Sequence, residues 1–527
     1  MLQLVGRPAG RLSPSLKPSR NCDESPSNES ASKGAVLSLM TLQQVLAGVP
    51  LRSELPSELL PQLVLGLEYD SRRVRPGYLF FAFPGSRTDG REFALAAIEQ
   101  GAIGVVSETD APEGFHAPWI RAAHGRKALA WAARNFYRKP DERLCLAAIT
   151  GTNGKTTTSF LLDSILRASG HVTALIGTVE YRLAGEVRAA VNTTPESLDL
   201  YRIFAELEAA GGTHVTMEVS SHALALGRVF GISFHTAIFT NLTRDHLDFH
   251  GTMEEYFAAK QLLFTPADTA APKWAVVNHD DPYGRLIQVK AGTRRVSYGF
   301  EAGADMRGTE LKTGFDGLNF TVQHEGQKIA LASPMVGQIN AYNILAACGA
   351  ALSYGLDWNT IAAGIAQCRA VPGRFERVDA GQSFMVVVDY AHTDDALRNA
   401  IAVARGLSPK RVITLFGCGG DRDRSKRPLM GMAAAEGSDF VVLTSDNPRS
   451  EDPLAIMNDA LVGLRRYDVP HLVEPDREKA IRAAIGEAKE GDIVILAGKG
   501  HETYQVFKDQ TIHFDDREIA RKVLQCD

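Results

Sequence analysis

Leu144-Cys145-Leu146-Ala147-Ala148-Ile149-Thr150-Gly151-Thr152-Asn153-Gly154-Lys155-Thr156-Thr157 is the stretch on which the reading of this chain turns. Residues 144–150 form a strand-length apolar run, and an apolar-periodic helical pattern over 157–168 follows the glycine-rich turn. Glycines let successive amides point at one spot, and a helix N-terminus adds positive partial charge, so the turn suits a phosphate group. Lys155 is set to reach the outer phosphates of a nucleotide, and Thr156 to offer its hydroxyl to Mg²⁺. The full P-loop pattern also carries a glycine six residues before the lysine, where this chain has Ile149. A glycine-rich turn of no function would not explain Gly-Lys-Thr in this order directly after a strand. Nucleotide binding is therefore expected at Gly151, Thr152, Asn153, Gly154, Lys155, Thr156 and Thr157.

Outward from this segment, strand-like apolar runs alternate with helical patterns. Strands are expected at residues 78–83, 103–106, 215–219, 237–240, 275–277, 385–388, 412–416, 440–443 and 493–497, and a second helix at 254–264. Several runs are continuously apolar, as parallel strands covered on both faces should be. The 527 residues are enough for about three domains of ordinary size. The expected class is α/β in three domains, with a central P-loop parallel-sheet ATPase domain and a Rossmann-like C-terminal domain. Boundaries near residue 128 and at Pro372-Gly373 give domains at 39–127, 128–372 and 373–527. Residues 1–38, rich in Ser, Pro, Arg and Asn, read as a disordered tail or an over-called start, with Met40 an alternative start.

Composition excludes several classes. Lys and Arg number 57 against 62 Asp and Glu, a net charge of −5, which lacks the basic excess of a nucleic-acid binder. No apolar run approaches the ~20 residues that span a bilayer. The six cysteines (22, 145, 348, 368, 418 and 526) contain no CxxC pair and suit a reducing compartment, with Cys145 and Cys348 expected as small buried hydrophobes.

Other residues gain meaning beside the phosphate turn. Glu218, near the end of the run 215–219, is a hard oxygen ligand available to Mg²⁺, although a cap or ion pair fits the same residue. Residues 241–250 hold two histidines among carboxylates and amides without any HExxH or Cys spacing that would favour zinc. Lys260, in Tyr256-Phe257-Ala258-Ala259-Lys260-Gln261, reads by itself as a snorkelling side chain.

Gly-Thr-Asn-Gly-Lys-Thr-Thr at 151–157 resembles the shortened P-loop of the Mur ligases, ATP-dependent amino-acid ligases of peptidoglycan synthesis, and of the related folylpolyglutamate synthases. The resemblance extends in order through Asn192-Thr193-Thr194-Pro195, Met217-Glu218-Val219-Ser220-Ser221-His222, Asn241-Leu242-Thr243-Arg244-Asp245-His246, Val371-Pro372-Gly373-Arg374 and Asp389-Tyr390-Ala391-His392-Thr393. It implies ATP as substrate and Mg²⁺ held by Thr156 and Glu218, with His246 and a CO₂-carbamylated Lys260 at a second Mg²⁺. It also implies catalytic roles for Lys155, His246 and Lys260, and nucleotide contacts from Asn340, Asn343, Arg374 and Asp389. Asn340 and Asn343 are equally readable as helix caps. Carbamylation needs a neutral amine, which burial beside cations favours.

The same resemblance implies a UDP-muramoyl dipeptide as the first substrate. Tyr69, Ser71, Ser86, Arg87 and Thr88 match its UDP end, and Asn192, Thr193, Thr194, Ser220 and Arg228 its muramoyl-peptide end. Alone, the first group reads as turn and capping residues. A Gln common in relatives is Leu226 here. Asp446-Asn447-Pro448-Arg449, by itself a turn, matches the family members that add meso-diaminopimelate, with Arg422, Gly498 and Glu502 completing that pocket. The distal carboxylate of diaminopimelate, absent from L-lysine, gives Arg449 a bidentate partner. The alternatives are an L-lysine-adding ligase, a folylpolyglutamate synthase-like ligase, or a nucleotide-binding module without turnover. A cytoplasmic monomer acting on small molecules is the expected setting.

Overall fold

The computed structural model describes residues 39–526 except Ser53, Ser86, Arg87 and Asp268. The expected tail, 1–38, and the two candidate residues Ser86 and Arg87 lie outside the described residues.

An eleven-stranded sheet forms the middle of the chain. Its parallel strands lie in the spatial order Thr173–Ile176, His214–Glu218, Cys145–Thr150, Thr236–Phe239, Trp274–Asn278, Arg294–Gly299 and Met306–Gly314. Residues of Cys145–Thr150 alternate between two cores: Leu146 and Ala148 pack with Val215, Met217 and Phe239, and Ala147 and Ile149 with Ile238, Val276, Leu161 and Ile344. Burial on both faces is why this strand reads as a continuous apolar run. Connections from Cys145–Thr150 run first toward one edge and, after His214–Glu218, toward the other. A crevice therefore opens beyond the carboxyl ends of these strands, where ligands of open α/β sheets bind.

A four-stranded parallel sheet precedes it, in the order Gly66–Glu68, Tyr78–Ala82, Gly104–Ser107 and Trp119–Arg121. A six-stranded sheet follows, in the order Glu376–Val378, Met385–Asp389, Ile493–Ala497, Val412–Cys418, Phe440–Ser445 and His471–Val473, antiparallel only at its first pair. The class is α/β, as expected.

The structure adds and corrects elements. Glu180–Leu183 and Glu186–Ala189 extend the middle sheet antiparallel on one edge, and Gly317–His324 and Gln327–Ser333 do so on the other. The helix after the phosphate turn starts at Lys155, two residues before the expected 157, so the lysine stands in its first turn. The helix Met253–Gln261 stops short of the expected 264, because Leu263 and Phe264 turn back into the core. Cys348 is buried as expected, but Cys145, at the start of its strand, is only partly so; both are free thiols. Among the described residues no helix is long and apolar enough to cross a membrane.

Candidate active site

The phosphate turn occupies the crevice between two neighbouring strand ends. Strand register pairs Ile149 with Glu218 on one side and Thr150 with Phe239 on the other. The strand thus continues through Ile149 to Thr150, and the loop is shortened by that much relative to the full P-loop pattern. Asn241 clamps the turn: its carbonyl accepts from Thr152 N at 2.8 Å and its Oδ1 from Asn153 N at 2.9 Å. Its Nδ2 donates back to Asn153 O at 3.1 Å. Gly154 caps the helix at φ 87°, and a Cβ there would collide with Asn343 Oδ1. Only glycine combines that backbone conformation with that approach.

Lys155 folds over its own loop, its Nζ donating to Gly151 O and Thr152 O at 2.9 Å each. Desolvation lowers its pKa, with Glu218 and Asp245 opposing the shift and Arg374 adding to it. These carbonyls are modest partners for an ammonium, which leaves it ready to transfer to an anion. Beside it, Thr156 Oγ1 donates to Glu218 Oε2 at 3.1 Å, and Arg374 Nη2 reaches Thr156 Oγ1 at 3.5 Å. Glu218 is 0 % exposed. Its other oxygen accepts from Thr178 N at 2.9 Å, and Thr178 Oγ1 donates to Oε2 at 3.1 Å. At Gly177 a Cβ would strike Glu218 Oε1, so the missing side chain makes room for the carboxylate.

Lys260, on the helix Met253–Gln261, is 1 % exposed and donates to Gly151 O at 2.9 Å. Its Nζ lies 4.6 Å from the centre of the Tyr256 ring. Burial, then the nearby Lys155 charge, pushes its pKa well below that of an ordinary lysine against the pull of Asp245. The snorkelling alternative fails, because the amine ends inside the protein on the phosphate turn. His246 stands close by in the left-handed region (φ 54°), with Nε2 3.4 Å from Asp245 Oδ2. Its ring is 4.8 Å from that of His222, and desolvation lowers its pKa. His250, left without a role by the sequence, is buried against Ser221 Oγ at 2.9 Å.

The peptide-side candidates gather around Glu218. Thr193 Oγ1 is 3.0 Å from Thr178 Oγ1, and Thr194 Oγ1 donates to Glu218 O at 3.0 Å and accepts from Ser220 N at 3.1 Å. Arg228 donates to Thr194 O at 3.1 Å and pairs with Glu196 at 3.1 Å. Ser220 caps the helix Ser221–Ala225, and Asn192 is tied to the Tyr181 hydroxyl. Tyr69 reaches the same region, its hydroxyl 2.6 Å from Asp199 Oδ2. Ser71 is buried in a short 3₁₀ turn capped by Asp70, while Thr88 is exposed and accepts from Gly85 N at 2.9 Å.

Asn340 and Asn343 pack behind the turn: Asn340 Nδ2 donates to Val336 O at 2.8 Å, and Asn343 Nδ2 to Asn340 Oδ1 at 3.0 Å. Asn343 Oδ1 accepts from Thr158 Oγ1 at 3.4 Å, which links the helix Gln338–Ser353 to the helix after the turn; neither amide caps its own helix, whose cap is Gly337 with no side-chain bond. Asp389 accepts from Phe375 N at 2.7 Å and Ala391 N at 2.9 Å, and burial raises its pKa against the lowering influence of Arg374.

The acceptor candidates form a second polar group, at the carboxyl ends of Phe440–Ser445 and Ile493–Ala497. Asn447 Nδ2 donates to Glu502 Oε2 at 2.9 Å, and Gly498, at φ 111°, keeps a Cβ position 3.5 Å from Asp446 Oδ2. Arg449 has φ 53° and donates through Nη1 to Gly420 O at 2.7 Å; Pro448 lies before it in the same turn. Arg422 is exposed, held only through Asp421 O at 3.3 Å. Glu502 has a raised pKa from burial and then from Asp446, offset by Lys499. Sequence reasoning missed Gly177, Thr178 and Lys499. Nothing local marks the first two, and Lys499 sits in a glycine-rich loop that reads as exposed.

Comparison with known proteins identifies the family. Family models match residues 64–137 (Mur ligase family, catalytic domain), 149–351 (Mur ligase middle domain) and 373–500 (Mur ligase, glutamate ligase domain). The chain belongs to the Mur ligase family. It is 67% identical over 486 residues to the UDP-N-acetylmuramoyl-L-alanyl-D-glutamate–2,6-diaminopimelate ligase of Solibacter usitatus, covering 92% of this chain and 98% of that one. Identity to the ligase of the same name from Geobacillus thermodenitrificans is 46% over 466 residues, 88% of this chain and 95% of that one. A solved structure of a ligase of that name superposes with a TM-score of 0.68 at 33% identity, covering 93% of this chain and 99% of the other.

Proposed function

We propose that this protein is an ATP-dependent ligase that joins meso-2,6-diaminopimelate to UDP-N-acetylmuramoyl-L-alanyl-D-glutamate, working in the cytoplasm as a monomer. The observation that carries the reading is the meeting of Lys155, Thr156, Glu218 and Lys260 on one phosphate turn, in a chain two-thirds identical to a ligase of that name. Residues 39–127 hold the UDP end, 128–372 the ATP and 373–527 the incoming amino acid.

Joining a carboxylate to an amine is uphill in water, so the carboxylate is first activated. A carboxylate oxygen of the dipeptide attacks the γ-phosphorus of ATP, the bond to the bridging oxygen breaks, and ADP leaves. The amine of the acceptor then attacks the acyl carbon, loses a proton, and phosphate departs. Both reacting partners of the first step are anionic. Lys155, exchanging the carbonyls of its loop for phosphate oxygens, and Arg374, 3.5 Å from Thr156, offset that repulsion and align the groups.

A buried carboxylate beside a threonine hydroxyl is a hard-oxygen donor set, and the space at Gly177 is kept free for it, so Thr156 and Glu218 fit Mg²⁺. The metal, when bound, screens the charge of the phosphates. Lys260 fits carbamylation: its amine is buried beside a second cation and so is biased toward the neutral form that attacks CO₂. The carbamate, with His246, would hold a second Mg²⁺. Arg449 and Glu502 are assigned to the distal carboxylate and ammonium of the acceptor, in a pocket where an unpaired Arg449 disfavours L-lysine.

Phosphate release from ATP, measured with the UDP-muramoyl dipeptide and either meso-diaminopimelate, L-lysine or no amine, tests this. Release that depends on diaminopimelate supports the reading. Release with lysine preferred would refute the acceptor assignment, and release independent of any amine would refute the ligase.

A further inference from the structure

The described residues contain two lysines with almost no exposure, and only Lys260 has been given work above. The other, Lys499, is 0 % exposed and lies at the centre of the acceptor group. Its Nζ donates to Asn447 Oδ1 at 3.2 Å and stands 3.5 Å from both Asp446 Oδ1 and Glu502 Oε2. A cation so enclosed is costly to bury unless its partners repay the lost hydration. Here each partner belongs to the candidate acceptor pocket.

We infer that Lys499 is a positioning residue for acceptor recognition: its ammonium bridges Asp446, Asn447 and Glu502 and fixes the Glu502 carboxylate where it can pair with the distal ammonium of a diamino acid. The inference rests on the acceptor assignment proposed above and extends it to a residue whose ammonium is engaged by protein groups. Three features of the geometry carry it. Asn447 is oriented from both ends, Oδ1 taking Lys499 and Val506 N at 3.0 Å while Nδ2 donates to Glu502 at 2.9 Å. Asp446 is held through its backbone, where O accepts from Gln505 Nε2 at 2.6 Å. Asp446 and Glu502, two carboxylates drawn together, therefore share one cation. Arg477, also buried, acts on the pair from a distance but is bound to Asp516 at 2.6 Å. Tyr390, Tyr504, His392 and Cys418 face the same carboxylates from neighbouring elements, and Arg449 lies beyond Tyr504. None of the four is a cation that could replace Lys499, since burial holds the His392 imidazole toward its neutral form.

Removing the ammonium would leave burial and Asp446 raising the Glu502 pKa, opposed only by the Asn447 hydrogen bond. The carboxylate would then be pushed further toward its protonated form and hold an ammonium less well. The defect should ease as pH rises, because ionisation of Glu502 is then favoured. The test is steady-state kinetics of the full-length protein and its Lys499→Met and Lys499→Gln variants from pH 6.5 to 9, with thermal melting to check folding. Gln keeps a donor for Asn447 but no charge, and it guards against misfolding in the Met variant. The inference predicts a KM for meso-diaminopimelate raised about tenfold at neutral pH and recovering at high pH, with KM for ATP within about twofold of the parent. A KM for the amine that is unchanged, or raised equally at every pH, would overturn it, as would failure of both variants to fold. If the parent protein itself does not turn over with meso-diaminopimelate, the acceptor assignment falls, and this inference with it.

Discussion

The two buried lysines of this protein have opposite surroundings. Lys260 has one carbonyl partner, Gly151 O, and the charge that acts on it most strongly is the cation of Lys155. Lys499 has an amide and two carboxylates within 3.5 Å. Equal burial thus serves different chemistry. Beside a cation, desolvation drives an amine toward the neutral, nucleophilic form; between carboxylates, the same side chain ties together a rigid polar pocket. In the proposed phosphate region Lys155 and Lys260 rest on backbone carbonyls, partners that on the proposed function a nucleotide's oxygens would replace at Lys155. The proposed acceptor region is built of side-chain pairs, Asn447 with Glu502 and Lys499 with Asp446 and Glu502, which on the proposed function a diamino acid would have to match.

This contrast can be broken most sharply at Lys260. Lys260→Ala should cut turnover by roughly a hundred- to a thousandfold with the fold retained, and added short carboxylates should restore part of it. Depleting bicarbonate should slow the parent protein and leave the variant unaffected. On the acceptor side, Arg449→Met should lower kcat/KM for meso-diaminopimelate by about a hundredfold while KM for ATP barely moves, because the lost partner is a charged group in a polar pocket. Glu218→Gln should raise the Mg²⁺ needed for half-maximal activity by about tenfold, read from a magnesium titration of phosphate release. Gly177→Ala, whose new methyl meets Glu218 Oε1, should cost about 1–3 kcal/mol in denaturant unfolding, with a weaker Mg²⁺ response alongside.

The smallest effect lies far from both lysines. Burial, then His171 and His235, holds His214 down to about 4 from its ordinary 6.5. As the unfolded imidazole takes up its proton first, this contribution to stability is complete above pH 6.5 and is lost as pH falls toward 4. Tm should therefore decline over that window, and more gently in His214→Gln.

The parallel cores were legible because strands covered on both faces are continuous apolar runs: Ile493–Ala497 matches its expected bounds, and Met385–Asp389 differs by a single residue. Gly317–His324 and Gln327–Ser333 escaped notice, because strands with a solvated face mix polar and apolar residues and have no such run. In the site, the phosphate turn was legible from a contiguous motif. Lys260 was not, since the carbonyl that receives its amine belongs to Gly151, 109 positions away in the chain. The family resemblance supplied it. Thr178 and Gly177 act on a carboxylate 40 and 41 positions further along, a relation that only the folded sheet creates. Lys499 lies between Gly498 and Glu502, both named from the sequence, yet its flanking glycines suggest an exposed loop.

The central claim is that the acceptor pocket, with Arg449 at its far end, selects a diamino acid with a second carboxylate. A competition experiment tests it most directly: ATP, Mg²⁺, bicarbonate, the UDP-muramoyl dipeptide and equal amounts of meso-diaminopimelate and L-lysine, with products weighed by mass spectrometry. The account predicts a product heavier by one diaminopimelyl unit, with the lysyl product at trace level. A predominant lysyl product, or both in similar amounts, would contradict it.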